Sequence, residues 1–265
     1  MSDIIAYKLN GEIYDTQSIG EHASEAQPIY FDNSEDALKV IRHSCAHLLA
    51  QAVRELYAGA KFFVGPAIED GFYYDMRVSK DNGEKLGEED LKTIEKKMRA
   101  LAEANLEIKK IASTKETVAK KYANDDLKGE VLKRIPDGPV SLYAQGEFED
   151  ICCGPHVQNT KFLKNFALTR IAGAYLGGDE KREMLTRIYG VVFADKDSLK
   201  KHLTMLEEAK KRDHRKLGAE MKFFTFDEQI GAGLPIWLPA GTRMRIRLEE
   251  RLYRQLRKRG SEPVR

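Results

Sequence analysis

The stretch Asn33–Gly59, NSEDALKVIRHSCAHLLAQAVRELYAG, decides how the rest of the chain is read. Leu38, Ile41, Cys45, Leu48, Leu49, Ala52 and Leu56 recur at the three- and four-residue spacing of an amphipathic helix. Asn33 or Ser34 is the predicted N-cap, acidic residues follow in the first turn, and Gly59 is the predicted stop. On such a helix His43 and His47 stand one turn apart and project side by side. At about 100° per residue they fall roughly opposite the apolar stripe, which predicts that both face outward into a cleft.

Asp150–Val157, DICCGPHV, is the second cluster, with two cysteines and a histidine around a Gly-Pro turn. Three of the six histidines lie in these two motifs, and the chain between them is long enough to fold back. His43, His47, Cys152 and His156 are therefore read as one candidate site. Three chemistries suit it. The four side chains are a legitimate set for tetrahedral zinc. Cys152 or Cys153 paired with a histidine is a candidate thiolate nucleophile. Imidazoles, with an unperturbed pKa of about 6.5, can also position and activate a water near neutral pH. Spacing does not rank the three. Cys45 and Cys153 otherwise read as core or turn packing.

Around these motifs the pattern is mixed. A strand or hairpin with an Asn10-Gly11 turn occupies the first thirty residues, too little to fold alone, and is read as an arm or remnant. KFFVGPAI and GFYYDMRV read as strands, and GEEDLKTIEKKMRALAEAN as a helix burying Leu91, Ile94, Met98 and Leu101. LEIKKIA is a strand and TKETVAKKYAND a short helix; from Val140 to Ala194 strands dominate, as VSLYAQG, NFALTRIAGAYL and MLTRIYGVVFA. Strands grouped rather than alternating with helices predict an α+β fold. Then comes one long charged helix, DKDSLKKHLTMLEEAKKRDHRKLGAEM, read as a connector. A terminal helix follows, capped by Thr242 and ended by Gly260, with Met244, Leu248, Leu252 and Leu256 as an unpartnered stripe.

A net charge of +2 over 265 residues is too small for a protein that coats nucleic acid, so RNA contact must be local. The basic stretches, KKRDHRK and Arg245–Arg259, read either as phosphate contacts or as solvated helix faces with acidic i,i+4 partners. Three cysteines, two of them adjacent, argue against a disulfide framework. No apolar run approaches the roughly 20 residues of a membrane span, and the N-terminus lacks the order of a targeting peptide. A soluble, cytoplasmic protein is expected.

From about Phe31 onward, RHSCAHLLAQAV, GPAIEDGFYYD, EDICCGPHV, AGAYLGGD and RIYGVVFADKDSLKKHLTMLEEAKKRDHRKLG resemble, in order and spacing, the editing region of bacterial threonyl-tRNA synthetases. GAGLPIWLPAGTRMRIRLEERLYRQLRKRGSEPVR resembles the opening of that family's class II catalytic domain. Alanyl-tRNA editing domains share the HxxxH and CxxxH motifs but not this connector and tail. The resemblance implies four segments: an arm at 1–30, reduced from a small N-terminal TGS module; an editing domain of antiparallel strands and packed helices at 31–194; a linker helix at 195–222; and a truncated catalytic-domain start at 223–265. Ligation of threonine is not expected of a chain cut there. ATP, Mg and a catalytic-domain zinc are implied only for the full-length enzyme, as is a homodimer.

The implied substrate is serine esterified to tRNA(Thr), bound by the acceptor end. Serine lacks one methyl group of threonine, a difference worth about 1–3 kcal/mol in a pocket, so a separate hydrolytic site is needed to correct mischarging. The resemblance implies that His43, His47, Cys152 and His156 line that site, with His43 at the ribose and attacking water. It implies a functional lysine as well, for which Lys128 is the candidate and Glu130 the ungapped alternative. Asp150 and Tyr74 are expected to bind substrate, Asp150 through the ammonium group or by orienting a histidine; the plainer alternatives are a surface carboxylate and a half-buried sheet aromatic. No metal is expected in the editing site, with the same four residues as the alternative zinc set. A zinc-dependent alanyl-type hydrolase and a non-catalytic tRNA-acceptor-binding module are the competing functions.

Overall fold

The computed structural model describes residues 3–227, 229–231 and 233–261. Met1 and Ser2 of the predicted arm, and Glu228, Ala232 and 262–265 of the predicted terminal segment, lie outside the described residues. The chain divides into two compact units with the boundary between Lys200 and Lys201.

The first unit opens with β1 (Ile4–Leu9), β2 (Glu12–Asp15) and β3 (Gln27–Tyr30), an antiparallel sheet in the order β2-β1-β3. Asn10 and Gly11 both take positive φ, as the predicted turn requires. This segment is more than a loose arm, because Ile5, Ala6 and Ile29 belong to the main hydrophobic core.

Helix α1 (Glu35–Leu56) has Ser34 as N-cap, its backbone N–H donating to Asp32 Oδ1 at 2.8 Å, and ends at Tyr57, two residues before Gly59. Its burial corrects the expectation of a single apolar stripe. Val40, Ala46, Ala50 and Val53 are buried along with the predicted stripe residues other than Leu56, which is half-buried, and so are Ser44 and Gln51. The helix is embedded against the N-terminal sheet, a second sheet and a second helix, and its alanines allow close approach on several sides. The side opposite the stripe is therefore largely enclosed, yet His43 and His47 on it open onto a cleft, as their place on the helix predicts.

β4 (Lys61–Phe62), β5 (Ala67–Ile68) and β6 (Gly71–Arg77) come next, then α2 (Leu91–Glu103), which buries Ile94, Met98 and Leu101 as its periodicity predicts. β7 (Ile108–Thr114) leads into α3 (Lys115–Lys121), capped by the Thr114 side chain, and α4 (Asp126–Arg134), capped by Asp125. β8 (Pro139–Gln145) and β9 (Phe148–Ile151) form a hairpin; with β7 they make an antiparallel sheet in the order β7-β8-β9. β10 (Phe166–Tyr175) and β11 (Met184–Val192) complete the larger antiparallel sheet, β10-β11-β6-β4, with β5 on β6. Helices packed on antiparallel sheets make this an α+β fold.

α5 (Lys196–Lys211) crosses the unit boundary. The single connector helix predicted here is two: α6 (His214–Glu220) starts afresh at Asp213, whose extended backbone (ψ 119°) and side-chain bond to the Arg215 N–H cap a new helix. β12 (Phe224–Thr225) pairs with β13 (Ile236–Trp237). α7 (Pro239–Lys258) begins with proline in its first turn, so Thr242 is not the cap; its hydroxyl turns back to the Trp237 carbonyl at 3.4 Å. Gly260, at φ +77°, follows the helix as predicted. Leu248 and Leu252 are exposed. Basic side chains of α5, α6 and α7 have acidic neighbours, as in Lys211–Glu208 at 2.8 Å and Arg245–Glu249 at 2.7 Å, which agrees with solvated helix faces. Among the described residues no helix is long and apolar enough to cross a membrane.

Candidate functional site

The two motifs meet. His43 and His47 come from α1, and Cys152 and His156 from the loop leaving β9. Cys152 Sγ lies 3.2 Å from His43 Nε2 and 3.2 Å from His156 Nε2. The His156 ring centroid is 4.3 Å from those of both His43 and His47. One donor atom from each of the four residues falls within 4.8 Å of the other three.

Local geometry explains the loop's course. The Cys152 N–H donates to the Ser141 carbonyl at 3.1 Å, and the Ser141 hydroxyl donates to the Cys152 carbonyl at 2.6 Å, pinning the chain to β8. Gly154 then takes φ +76°, and a Cβ there would run into the Tyr143 hydroxyl. Only glycine turns here without collision. Its N–H donates to Cys152 Sγ at 3.3 Å. Tyr143 is itself fixed by a hydrogen bond to Asp15 at the end of β2, so the N-terminal sheet buttresses the site. Cys45 is buried in the core, as expected, whereas Cys153 is exposed on the turn and its thiol is held up chiefly by the neighbouring Cys152 side chain.

Burial sets the protonation of the cluster. Desolvation pushes the His47 pKa down to about 3, with the nearby His43 adding to the effect. Desolvation also takes His156 well below the usual histidine range, again with its two imidazole neighbours contributing. His43 is lowered by the same cause, opposed by Cys153, the Pro155 backbone and Asp150. The three rings are neutral at physiological pH, so they can accept a proton or coordinate a cation.

Beside them is a second buried group. Asp150, Tyr74 and Lys128 are only 1%, 2% and 3% exposed, which excludes the readings of a surface carboxylate and a half-buried aromatic. The Tyr74 hydroxyl donates to Asp150 Oδ2, the Lys128 ammonium pairs with Asp150 Oδ1, and the Ile151 N–H donates to Oδ1 at 2.7 Å. Lys128 makes no directional hydrogen bond beyond this ion pair. Glu130, the alternative to Lys128, points elsewhere, bonding Lys133 at 2.7 Å and Arg182 at 2.9 Å. Asp126 ties α4 to the larger sheet, accepting from both Arg77 nitrogens at 2.9 and 2.7 Å and from Lys61 at 2.6 Å.

A cleft of about 600 Å³ opens onto this floor, with His43, His47, Tyr74, Cys152 and Cys153 at its base. Val64, Pro66, Val131, Ile135, Pro136 and Val140 build an apolar wall, and Arg134 stands at the wall as well. Lys128, Asp150 and His156 lie behind the lining. Part of the wall comes from α4 and its C-cap, an element absent from the sequence-based expectation. Its signal was present: Asp125 as cap, then Leu127, Val131 and Ile135 at four-residue spacing.

The donor set also fits a metal. Tetrahedral zinc with ligand distances of about 2.0–2.3 Å holds its donors roughly 3.3–3.8 Å apart, and three imidazoles with one thiol within 4.8 Å need only a small contraction.

Residues 140–189, spanning β8, the Cys152–His156 loop and most of β11, match the family model described as threonyl and alanyl tRNA synthetase second additional domain. The chain contains that domain. Over all its 265 residues the chain is 69% identical to the threonine--tRNA ligase of Campylobacter concisus (strain 13826), covering 44% of that protein. It is 70% identical over 267 aligned residues to the Campylobacter hominis enzyme, again 44% of its length, and 65% identical over 263 residues to a Campylobacter jejuni enzyme. The chain thus matches threonine--tRNA ligases over its whole length and spans less than half the length of those curated relatives.

Proposed function

We propose that this chain carries the editing site of a threonyl-tRNA synthetase, hydrolysing the ester of Ser-tRNA(Thr), and that the parent enzyme ligates threonine to tRNA(Thr) with ATP. The observation that carries the proposal is the meeting of His43 and Cys152 at 3.2 Å on the floor of a cleft, with a buried lysine and tyrosine alongside.

Ester hydrolysis needs a positioned water, a base for its proton, and cationic or hydrogen-bonding groups for the developing oxyanion. His43 lines the cleft and is neutral, so it acts as base or water-positioning group at the ribose. His47 and His156 fix its orientation and that of the substrate. Cys152 shapes the serine pocket, and Lys128 supplies positive charge near the reacting carbonyl. Asp150 is committed to Lys128 and Tyr74, so its role is to hold these two in place instead of binding the substrate ammonium. If a zinc ion is bound, His43, His47, Cys152 and His156 hold it, and it would supply Lewis-acid polarisation of water or ester. We favour the metal-independent route; the convergent donor set is what supports the zinc-dependent, alanyl-type alternative.

Residues 223–265 are proposed as the opening of the class II catalytic domain. ATP, Mg, a second zinc site and the homodimer belong to the full-length enzyme, and a cytoplasmic setting with the tRNA acceptor end as partner completes the proposal. Release of serine from Ser-tRNA(Thr), compared with threonine from Thr-tRNA(Thr) and repeated with chelator, tests it. Selective, chelator-resistant release is expected. Salt-sensitive tRNA retention without release would establish a binding module instead. Loss of activity with chelator and recovery with zinc would establish the metal route.

A further inference from the structure

We infer that Ser44 is a positioning residue that fixes the ring tautomer of His156, so that its Nε2 is presented bare to Cys152 and the cluster. Ser44 sits between His43 and Cys45 on α1 and is fully buried. Its Oγ is 2.8 Å from the Val40 carbonyl, 3.0 Å from the Val157 N–H and 3.2 Å from His156 Nδ1. A hydroxyl has one proton and two lone pairs. The carbonyl can only accept, so the proton goes to Val40. The Val157 N–H can only donate, so it takes one lone pair. The other lone pair faces His156, and that contact is attractive only when Nδ1 carries the ring proton.

His156 is buried with its ring centroid 4.3 Å from two further imidazoles, and in its neutral form it has one ring proton to place. With that proton on Nδ1, Nε2 is an unprotonated acceptor 3.2 Å from Cys152 Sγ. The opposite tautomer would set lone pair against lone pair at Ser44. A serine adjacent to the functional histidine thus does for His156 what outer hydrogen bonds do for ligating histidines elsewhere, fixing ring orientation and the reactive nitrogen. What the bare nitrogen does, accepting a hydrogen bond from water or thiol, rests on the editing proposal; the tautomer does not.

The test is ring-nitrogen NMR of the whole chain, labelled with 15N-histidine and treated with chelator at neutral pH. His156 is assigned by its absence in His156→Asn. The Nδ1–H pattern is expected, and an Nε2–H pattern in the unmutated chain would overturn the inference without any variant having to fold. In Ser44→Ala the pattern should shift toward a tautomer mixture, with deacylation down by about 10- to 100-fold. Ser44→Thr, which keeps the hydroxyl, should restore both. Slower deacylation in Ser44→Ala with the Nδ1–H pattern intact would show a packing role only and overturn the inference. A pattern that follows the hydroxyl in a chain without deacylase activity would support the tautomer assignment and remove the editing proposal.

Discussion

Lys128 and Asp150, twenty-two positions apart on α4 and β9, form an ion pair in which both side chains are under 5% exposed. A buried pair of this kind is a weak source of net stability, but removing one partner strands a charge in a medium that solvates it poorly. Asp150→Ala is therefore expected to destabilise the first unit by about 3–5 kcal/mol in denaturant titration. The double variant Asp150→Ala/Lys128→Met should lose clearly less than the sum of the two single changes. Additive losses would mean that the two residues act independently.

His43 is half-buried on the cleft floor, whereas His47 is 4% exposed. His43→Ala should reduce serine release by about 10²- to 10⁴-fold, the usual contribution of general acid–base catalysis, with unfolding free energy changed by no more than about 1 kcal/mol. His47→Ala should impair both, because it also opens a cavity in the core. Unimpaired deacylation in His43→Ala would remove that residue from the mechanism.

Acid sensitivity follows from the lowered histidines. The unfolded chain protonates them near pH 6.5, whereas the folded chain protonates His43 at lower pH, His156 well below that range and His47 at about 3. For His47 the unfolded state binds more protons between those two values, so its contribution to stability is complete above pH 6.5 and declines as pH falls toward 3. His47 adds up to about 1.4 kcal/mol per pH unit in that window, and His156 and His43 act in the same direction. Denaturant midpoints at pH 7.5, 6 and 5 should fall in order, and His47→Leu should flatten the trend. A midpoint independent of pH would contradict the burial of these rings.

Gly154→Ala should harm folding and activity together. It places a Cβ at positive φ and against Tyr143 in the turn that delivers Cys152 and His156. A loss above about 1 kcal/mol is expected, with serine release reduced in the fraction that remains folded. An alanine variant with unchanged stability would mean that the turn can move away from Tyr143 at no cost.

Local order alone determined much of this protein. The stretch from Asn33 to Gly59 announced its helix, the alternating segments announced β6, β8, β10 and β11, and the histidine and cysteine motifs announced four side chains worth bringing together. Period and turn chemistry are properties of neighbouring residues, so one sequence discloses them. Packing decided the rest. α1 is enclosed on several sides, so the face that carries its histidines meets a cleft whose surroundings desolvate them and favour their neutral form. β9 carries Asp150 inward to meet Lys128 on α4. Asp213 and Pro239 set helix starts where the apolar pattern ran on or had not begun. Depth, charge state and the meeting of α1 with the Cys152 turn depend on contacts between residues about a hundred positions apart, and no local pattern encodes how far a chain folds back upon itself.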